Sequence, residues 1–118
     1  MRRSALVIAT VLFALIAQTA LAADTRSYDR PLESTWDEAV KAVRDAEMVM
    51  LDSDRSEHWF TMRTKSWYSH KKGRVMEVEL TGDHLQATVT VRAADPAEEE
   101  KLAKAIARYM AALDERMN

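Results

Sequence analysis

Apolar side chains between Ser34 and Met48 return every three or four positions, at Trp36, Ala39, Val40, Val43 and Ala46, while Asp37, Lys41, Arg44 and Asp45 fill the opposite side. A stripe with that spacing is one face of an α-helix laid on a core. Ser34 or Thr35 is the expected cap, and Glu38 three residues past Thr35 completes a capping box. The period then changes. Met48 to Leu51 is a short apolar run, "DSDRS" reads as a polar turn, and Phe60, Met62 and Thr64 alternate with Trp59, Thr61, Arg63 and Lys65. Alternation of this kind belongs to strands, so two strands with a tight connection are predicted.

The stretch "RVMEVELTGDHLQATVTVR" predicts a hairpin with Gly82-Asp83 as a two-residue loop. Closure by Thr81 and His84 sets Leu80 opposite Leu85, Val78 opposite Ala87 and Met76 opposite Val89, all on one face. Glu77, Glu79, Gln86, Thr88 and Thr90 occupy the other face, which predicts a sheet covered on one side only. At the end of the chain, Asp95 as cap and Pro96 at the first helical position open a long helix. Its stripe is Leu102, Ile106, Tyr109 or Met110, Leu113 and Met117. The predicted fold is α+β, a two-layer sandwich. An antiparallel four-stranded meander carries an N-terminal and a C-terminal helix packed on one face, with room for an edge strand around Thr25 to Tyr28.

The first residues follow another logic. Arg2 and Arg3 precede "SALVIATVLFALIA", and the run closes on Gln18, Thr19 and the small-residue exit "ALA" at Ala20 to Ala22. These are the three parts of a secretion leader, so residues 1–22 are expected to be cleaved and 23–118 to form one domain. A spanning helix needs about 20 predominantly apolar residues, and this run is shorter and meets Asp24 directly. The expected address is the periplasm, with no stable membrane anchor. Loss of Arg2 and Arg3 takes lysine plus arginine from 17 to 15 against 19 acids, and the net charge from −2 to −4. A net acidic chain argues against general nucleic-acid binding, which depends on concentrated cations.

Residues Tyr28 to Arg55, "YDRPLESTWDEAVKAVRDAEMVMLDSDR", resemble the opening of a family of small secreted or lipid-anchored bacterial α/β domains of unknown function. In that family a tyrosine and a Pro-Leu precede a tryptophan-bearing first helix, followed by a β-meander and a C-terminal helix. The likeness runs through the late "TVTVR" strand over most of the chain. Two departures stand out: there is no cysteine to carry a lipid, and Ala46-Glu47 stands where a glycine often ends the first helix. The resemblance implies no enzymatic activity and no catalytic residues.

Candidate chemistry is sparse. Without cysteine there is no disulfide, thiolate metal site or cysteine nucleophile. His58, His70 and His84 lack the close spacing of a metal site, although His58 and His84 each follow an acid, Glu57 and Asp83. No Ser-His-Asp constellation is recognisable, and Gly73 and Gly82 alone make no phosphate-cradling loop. Glu77 and Glu79 share a predicted sheet face and are expected to be solvated. Met48, Met50, Met62, Met76, Met110 and Met117 supply thioethers suited to copper, but their periodicity is that of core packing. No cofactor is expected.

One stretch breaks the bland pattern. "KSWYSHKKGR" with the preceding strand end gathers Arg63, Lys65, Lys71, Lys72 and Arg74 around Trp67, Tyr68 and His70. Cations in a strand connection are ordinary, whereas adjacent aromatics need something to pack on. These eight residues are the candidate binding patch. The expected function is a non-catalytic periplasmic binding or envelope-accessory protein that meets an anionic envelope component or another envelope protein. The alternative is a metal-handling protein using methionine and histidine for copper or zinc.

Overall fold

A computed structural model describes residues 22–65, 74–94 and 99–118. Element order is β1 (Ala23–Tyr28), α1 (Leu32–Asp45), β2 (Met48–Asp54), β3 (Trp59–Thr64), β4 (Val75–Gly82), β5 (Ala87–Ala93) and α2 (Glu99–Met117). Among the described residues the fold is α+β, with two helices and an antiparallel sheet of five strands in the order β1-β5-β4-β3-β2. The expected four-stranded meander is therefore corrected. The segment before α1 is a full strand that joins the sheet beside β5, Thr25 lying opposite Thr90. Two hydroxyl contacts lock that pairing on the outer face, Thr25 to Thr90 at 3.3 Å and Ser27 to Thr88 at 2.9 Å.

Both helices cover the same face. Phe60, Met62, Met76, Val78, Leu80, Val89 and Val91 point inward from the sheet and are buried. They meet Trp36, Ala39 and Val43 of α1 and Leu102, Ile106, Tyr109, Met110 and Leu113 of α2. Rings run through this core edge to face, Trp36 to Phe60 at 5.6 Å and Phe60 to Tyr109 at 6.5 Å. The Tyr109 hydroxyl donates to the Ala39 carbonyl at 2.6 Å, which pins α2 on α1, and burial pushes its pKa well up. At the surface, Arg116 joins the helices by donating to Asp45 at 2.6 Å and to Glu38 at 3.1 Å.

Local chemistry departs from the simplest motifs at four places. The helix α1 starts at Leu32 behind Pro31, and no side chain caps it. The hydroxyls of Ser34 and Thr35 donate instead to the Pro31 carbonyl, at 3.1 and 2.9 Å, and Glu38 serves Arg116 rather than a capping box. Leu32 N–H is satisfied by the Asp83 carbonyl at 2.7 Å, a tertiary cap that sequence spacing does not reveal. After α1, Glu47 adopts φ 60°, the left-handed conformation that a helix-ending glycine would supply.

Strand β2 continues through Asp52, Ser53 and Asp54, so the polar turn falls at residues 55–58 rather than at "DSDRS". An irregularity between Met50 and Asp52 leaves Leu51 exposed. The β4–β5 hairpin has the expected faces but a different register. Leu80 lies opposite Val89, Val78 opposite Val91 and Met76 opposite Ala93, so each β4 residue meets a partner four positions further along β5 than expected. The connection is the four residues 83–86. The Asp83 carboxylate accepts the N–H groups of Leu85 and Gln86 at 2.8 and 3.0 Å, and Asp83 N–H donates to the Gln86 carbonyl at 2.9 Å. The shift strands Leu85 in water at 68 % exposure, but brings Val91 and Ala93 into the core opposite Val78 and Met76. Asp95 and Pro96, read as the start of the last helix, lie outside the described residues.

Candidate functional site

The outer sheet face carries the side chains that alternate away from the core. On β3 these are Trp59, Thr61 and Arg63, and on β4 Val75, Glu77 and Glu79. Register sets Trp59 beside Glu79, Thr61 beside Glu77 and Arg63 beside Val75, while Arg92 of β5 flanks Glu77 on its far side. Arg92 reaches diagonally to Glu79 at 3.5 Å, an exposed pair of small energetic weight. Trp59, Thr61, Glu77, Glu79 and Arg92 line a shallow hollow of about 260 Å³. The sequence signal for it was available: Trp59 is the one tryptophan on the polar phase of a strand alternation. That phase makes it a surface residue, and half-burial by its neighbours turns it into a wall of the hollow.

Of the basic and aromatic patch, Arg63, Lys65 and Arg74 fall among the described residues, whereas Trp67, Tyr68, His70, Lys71 and Lys72 lie outside them. The three described cations gather at one end of the β3–β4 pair. Thr64 N–H donates to the Arg74 carbonyl at 3.0 Å, and Arg74 N–H donates back to Thr64 Oγ1 at 2.9 Å. This clamp closes the described end of the β3–β4 ladder. Arg63 stands half-buried on the outer face and donates to the Thr64 carbonyl at 3.2 Å, and Lys65 is exposed.

The two described histidines, His58 and His84, lie in different connections of the sheet. His58 sits at φ 57° in the β2–β3 turn with its ring edge against Trp36, and its Nε2 lies 2.6 Å from Glu33. Arg55 also donates to Glu33, at 3.1 Å, and pairs with Asp37 at 3.2 Å. The contacts from His58 and then Arg55 hold the Glu33 carboxyl below its usual pKa. This cluster latches the turn onto the start of α1. His84 is exposed in the β4–β5 connection, beside Asp83, whose own carboxyl is lowered by the two N–H donors it caps. Among the methionines, Met48, Met62, Met76 and Met110 are buried, while Met50 and Met117 pack at the core margin. Among the described residues no three histidines or acids group as metal ligands would, and no helix is long and apolar enough to cross a membrane.

No family model matches the chain, and no curated protein does. Solved structures do. An uncharacterised protein from Bacillus thuringiensis is similar over 82 % of this chain and 98 % of its own, with a TM-score of 0.57 at 7 % identity. CalU16 from Micromonospora echinospora is similar over 82 % of this chain and 78 % of its own, with a TM-score of 0.47 at 12 % identity. At such identity the first likeness is one of fold alone.

Proposed function

We propose that this chain is a non-catalytic binding module of the bacterial envelope, exported by its leader and working as a two-layer α+β frame. Its ligand is an anionic surface or polymer met at the β3–β4 end of the open sheet face. The observation that carries this reading is the Thr64–Arg74 clamp, which holds Arg63, Lys65 and Arg74 at the two roots of a connection containing Lys71, Lys72 and two aromatics. In a chain whose processed form carries a net charge of −4, five cations between Arg63 and Arg74 are a local excess. Such a patch steers anions, and tryptophan and tyrosine settle at an interface once contact is made.

Cosedimentation with vesicles tests this. Protein recovered from the periplasm, with an intact mass beginning at Ala23, is expected to bind anionic vesicles at low salt and release at high salt. Each basic residue near such a surface contributes about 1 kcal/mol, so reversing Lys71 and Lys72 to Glu lowers binding at least about thirty-fold. Trp67→Ala weakens it further while the fold persists. Wild-type protein that ignores anionic vesicles at low salt, or a Trp67→Ala variant that unfolds, overturns the reading.

A further inference from the structure

The two edges of the sheet are built differently. Edge strand β2 is interrupted between Met50 and Asp52 and carries the acids Asp52 and Asp54, devices that deter pairing with another strand. Edge strand β1, "ADTRSY", has no proline, no lysine and no irregularity in its register with β5. We propose that two copies of this chain pair through β1, antiparallel and with Thr25 on the two-fold axis, to make one continuous ten-stranded sheet. This does not rest on the vesicle-binding reading.

The hydrogen-bond phase of β1 supports it. Ala94 N–H donates to the Val75 carbonyl at 3.0 Å and Asp83 N–H to the Gln86 carbonyl at 2.9 Å, so Thr88, Thr90 and Arg92 between them turn to β4 and Ala87, Val89, Val91 and Ala93 to β1; in the unprocessed chain Ala93 N–H donates accordingly to the Ala22 carbonyl at 2.8 Å. In an antiparallel ladder hydrogen-bonded pairs recur at every second residue. Asp24, Arg26 and Tyr28 therefore turn their backbone groups toward β5, and Ala23, Thr25 and Ser27 turn theirs to the outer edge, which pairs with no strand among the described residues. Pairing Thr25 with Thr25 sets each Ala23 opposite Ser27 of the second copy. All three outward nitrogen donors, the Ala23 α-ammonium of the processed chain among them, and all three carbonyls of both copies are then used, in six hydrogen bonds.

Charge selects that register over its neighbours. Asp24 and Arg26 share the helix side of β1, where they pair within one chain at 3.5 Å and stay part-exposed. Centring on Thr25 places Asp24 of each copy opposite Arg26 of the other. Sliding by one pairing step either way keeps the hydrogen-bond phase but opposes Asp24 to Asp24, or Arg26 to Arg26. The strand is thus charge-complementary to itself in one register. The helix above it leaves room. Asp114 of α2 accepts from Arg26 and, at 2.6 Å, from Tyr28, which marks the flank of α2 nearest β1. Helical geometry places Ala103 and Ala107 on that flank, both exposed, with Lys104 and Arg108 turned away. Two α2 helices brought together by the paired sheets meet through alanine rather than through long cations.

The chain lacks cysteine, so an introduced one reports directly. Hydrogen-bonded antiparallel partners have Cα atoms about 5.5 Å apart, a separation that suits a disulfide. Protein secreted by its own leader is expected to sediment at twice the chain mass. Its Thr25→Cys variant is expected to form a disulfide dimer in air, whereas Ser53→Cys on the other edge does not. Thr25→Pro removes an N–H that β5 does not use, so it is expected to give a folded monomer. Asp24→Arg, which opposes like charges, is expected to do the same. A wild-type monomer at all soluble concentrations, a dimer indifferent to Asp24→Arg, or equal cross-linking of Ser53→Cys and Thr25→Cys overturns the proposal.

Discussion

Replacing Val78 by Asp asks the sheet which of its faces is dry. Val78 is fully buried, and its register neighbours are Phe60 on one side and Val91 on the other, both also fully buried. No cation stands in register beside it, in contrast to Val89, whose β1 neighbour is Arg26. Losing the buried valine costs roughly 1.5 to 3 kcal/mol of apolar transfer. Placing an unpaired carboxyl there adds several kcal/mol more, whether it ionises or takes a proton to avoid ionising. The sum, roughly 5 kcal/mol or above, matches or exceeds the lower end of the total stability of about 5 to 15 kcal/mol expected of a small domain. Val78→Ala, which omits the carboxyl, is expected to lose only the transfer part and remain folded. Thr88→Asp, on the open face beside Ser27, is expected to change stability by about 0.5 kcal/mol. Urea unfolding followed by far-ultraviolet circular dichroism measures all three. Val78→Asp that unfolds cooperatively with a loss below about 2 kcal/mol would refute the reasoning, as would Thr88→Asp proving equally damaging.

Three further outcomes follow from local geometry. Gly82 has φ 145°, and a Cβ there would lie 2.2 Å from the Gln86 carbonyl oxygen, so Gly82→Ala is expected to cost about 1 to 3 kcal/mol; an unchanged urea midpoint would show that the hairpin connection adjusts freely. Tyr109→Phe removes the donor to the Ala39 carbonyl and is expected to cost about 1 kcal/mol, because that carbonyl keeps its helical partner; calorimetry checks it. Glu33, held below its usual pKa by His58 and Arg55, contributes stability that is present above the unfolded-state value near pH ~4.3 and is lost as pH falls through the lower folded-state value. The melting-temperature gap between wild type and Glu33→Gln is therefore expected at neutral pH and should close in acid. A gap that widens on acidification would reverse the sign of the argument.

The direction of the side chains follows from alternation and helical period, before any tertiary contact is known. Period alone put Met76, Val78, Leu80, Ala87 and Val89 inside, Glu77, Glu79, Thr88 and Thr90 outside, and the stripes of both helices onto the core, and it misplaced Leu85, which is exposed. Phase survives any pairing that slides by an even number of residues, which is why the faces of the β4–β5 hairpin were legible while its partners were not. Choosing the register required comparing Leu85 left in water with Val91 and Ala93 brought under the helices, and that balance exists only once the helices are in place. The same holds for the first strand. "ADTRSY" carries weak local strand propensity, and it becomes a strand because β5 offers a free edge and Asp114 holds Arg26 and Tyr28 from above. For the candidate site, the cluster of cations was plain in composition. That Arg63 and Arg74 stand at the clamped end of the β3–β4 pair, with the hollow walled by Trp59 toward its other end, was decided by tertiary structure, because hydrogen-bond closure between Thr64 and Arg74 spans ten residues of chain.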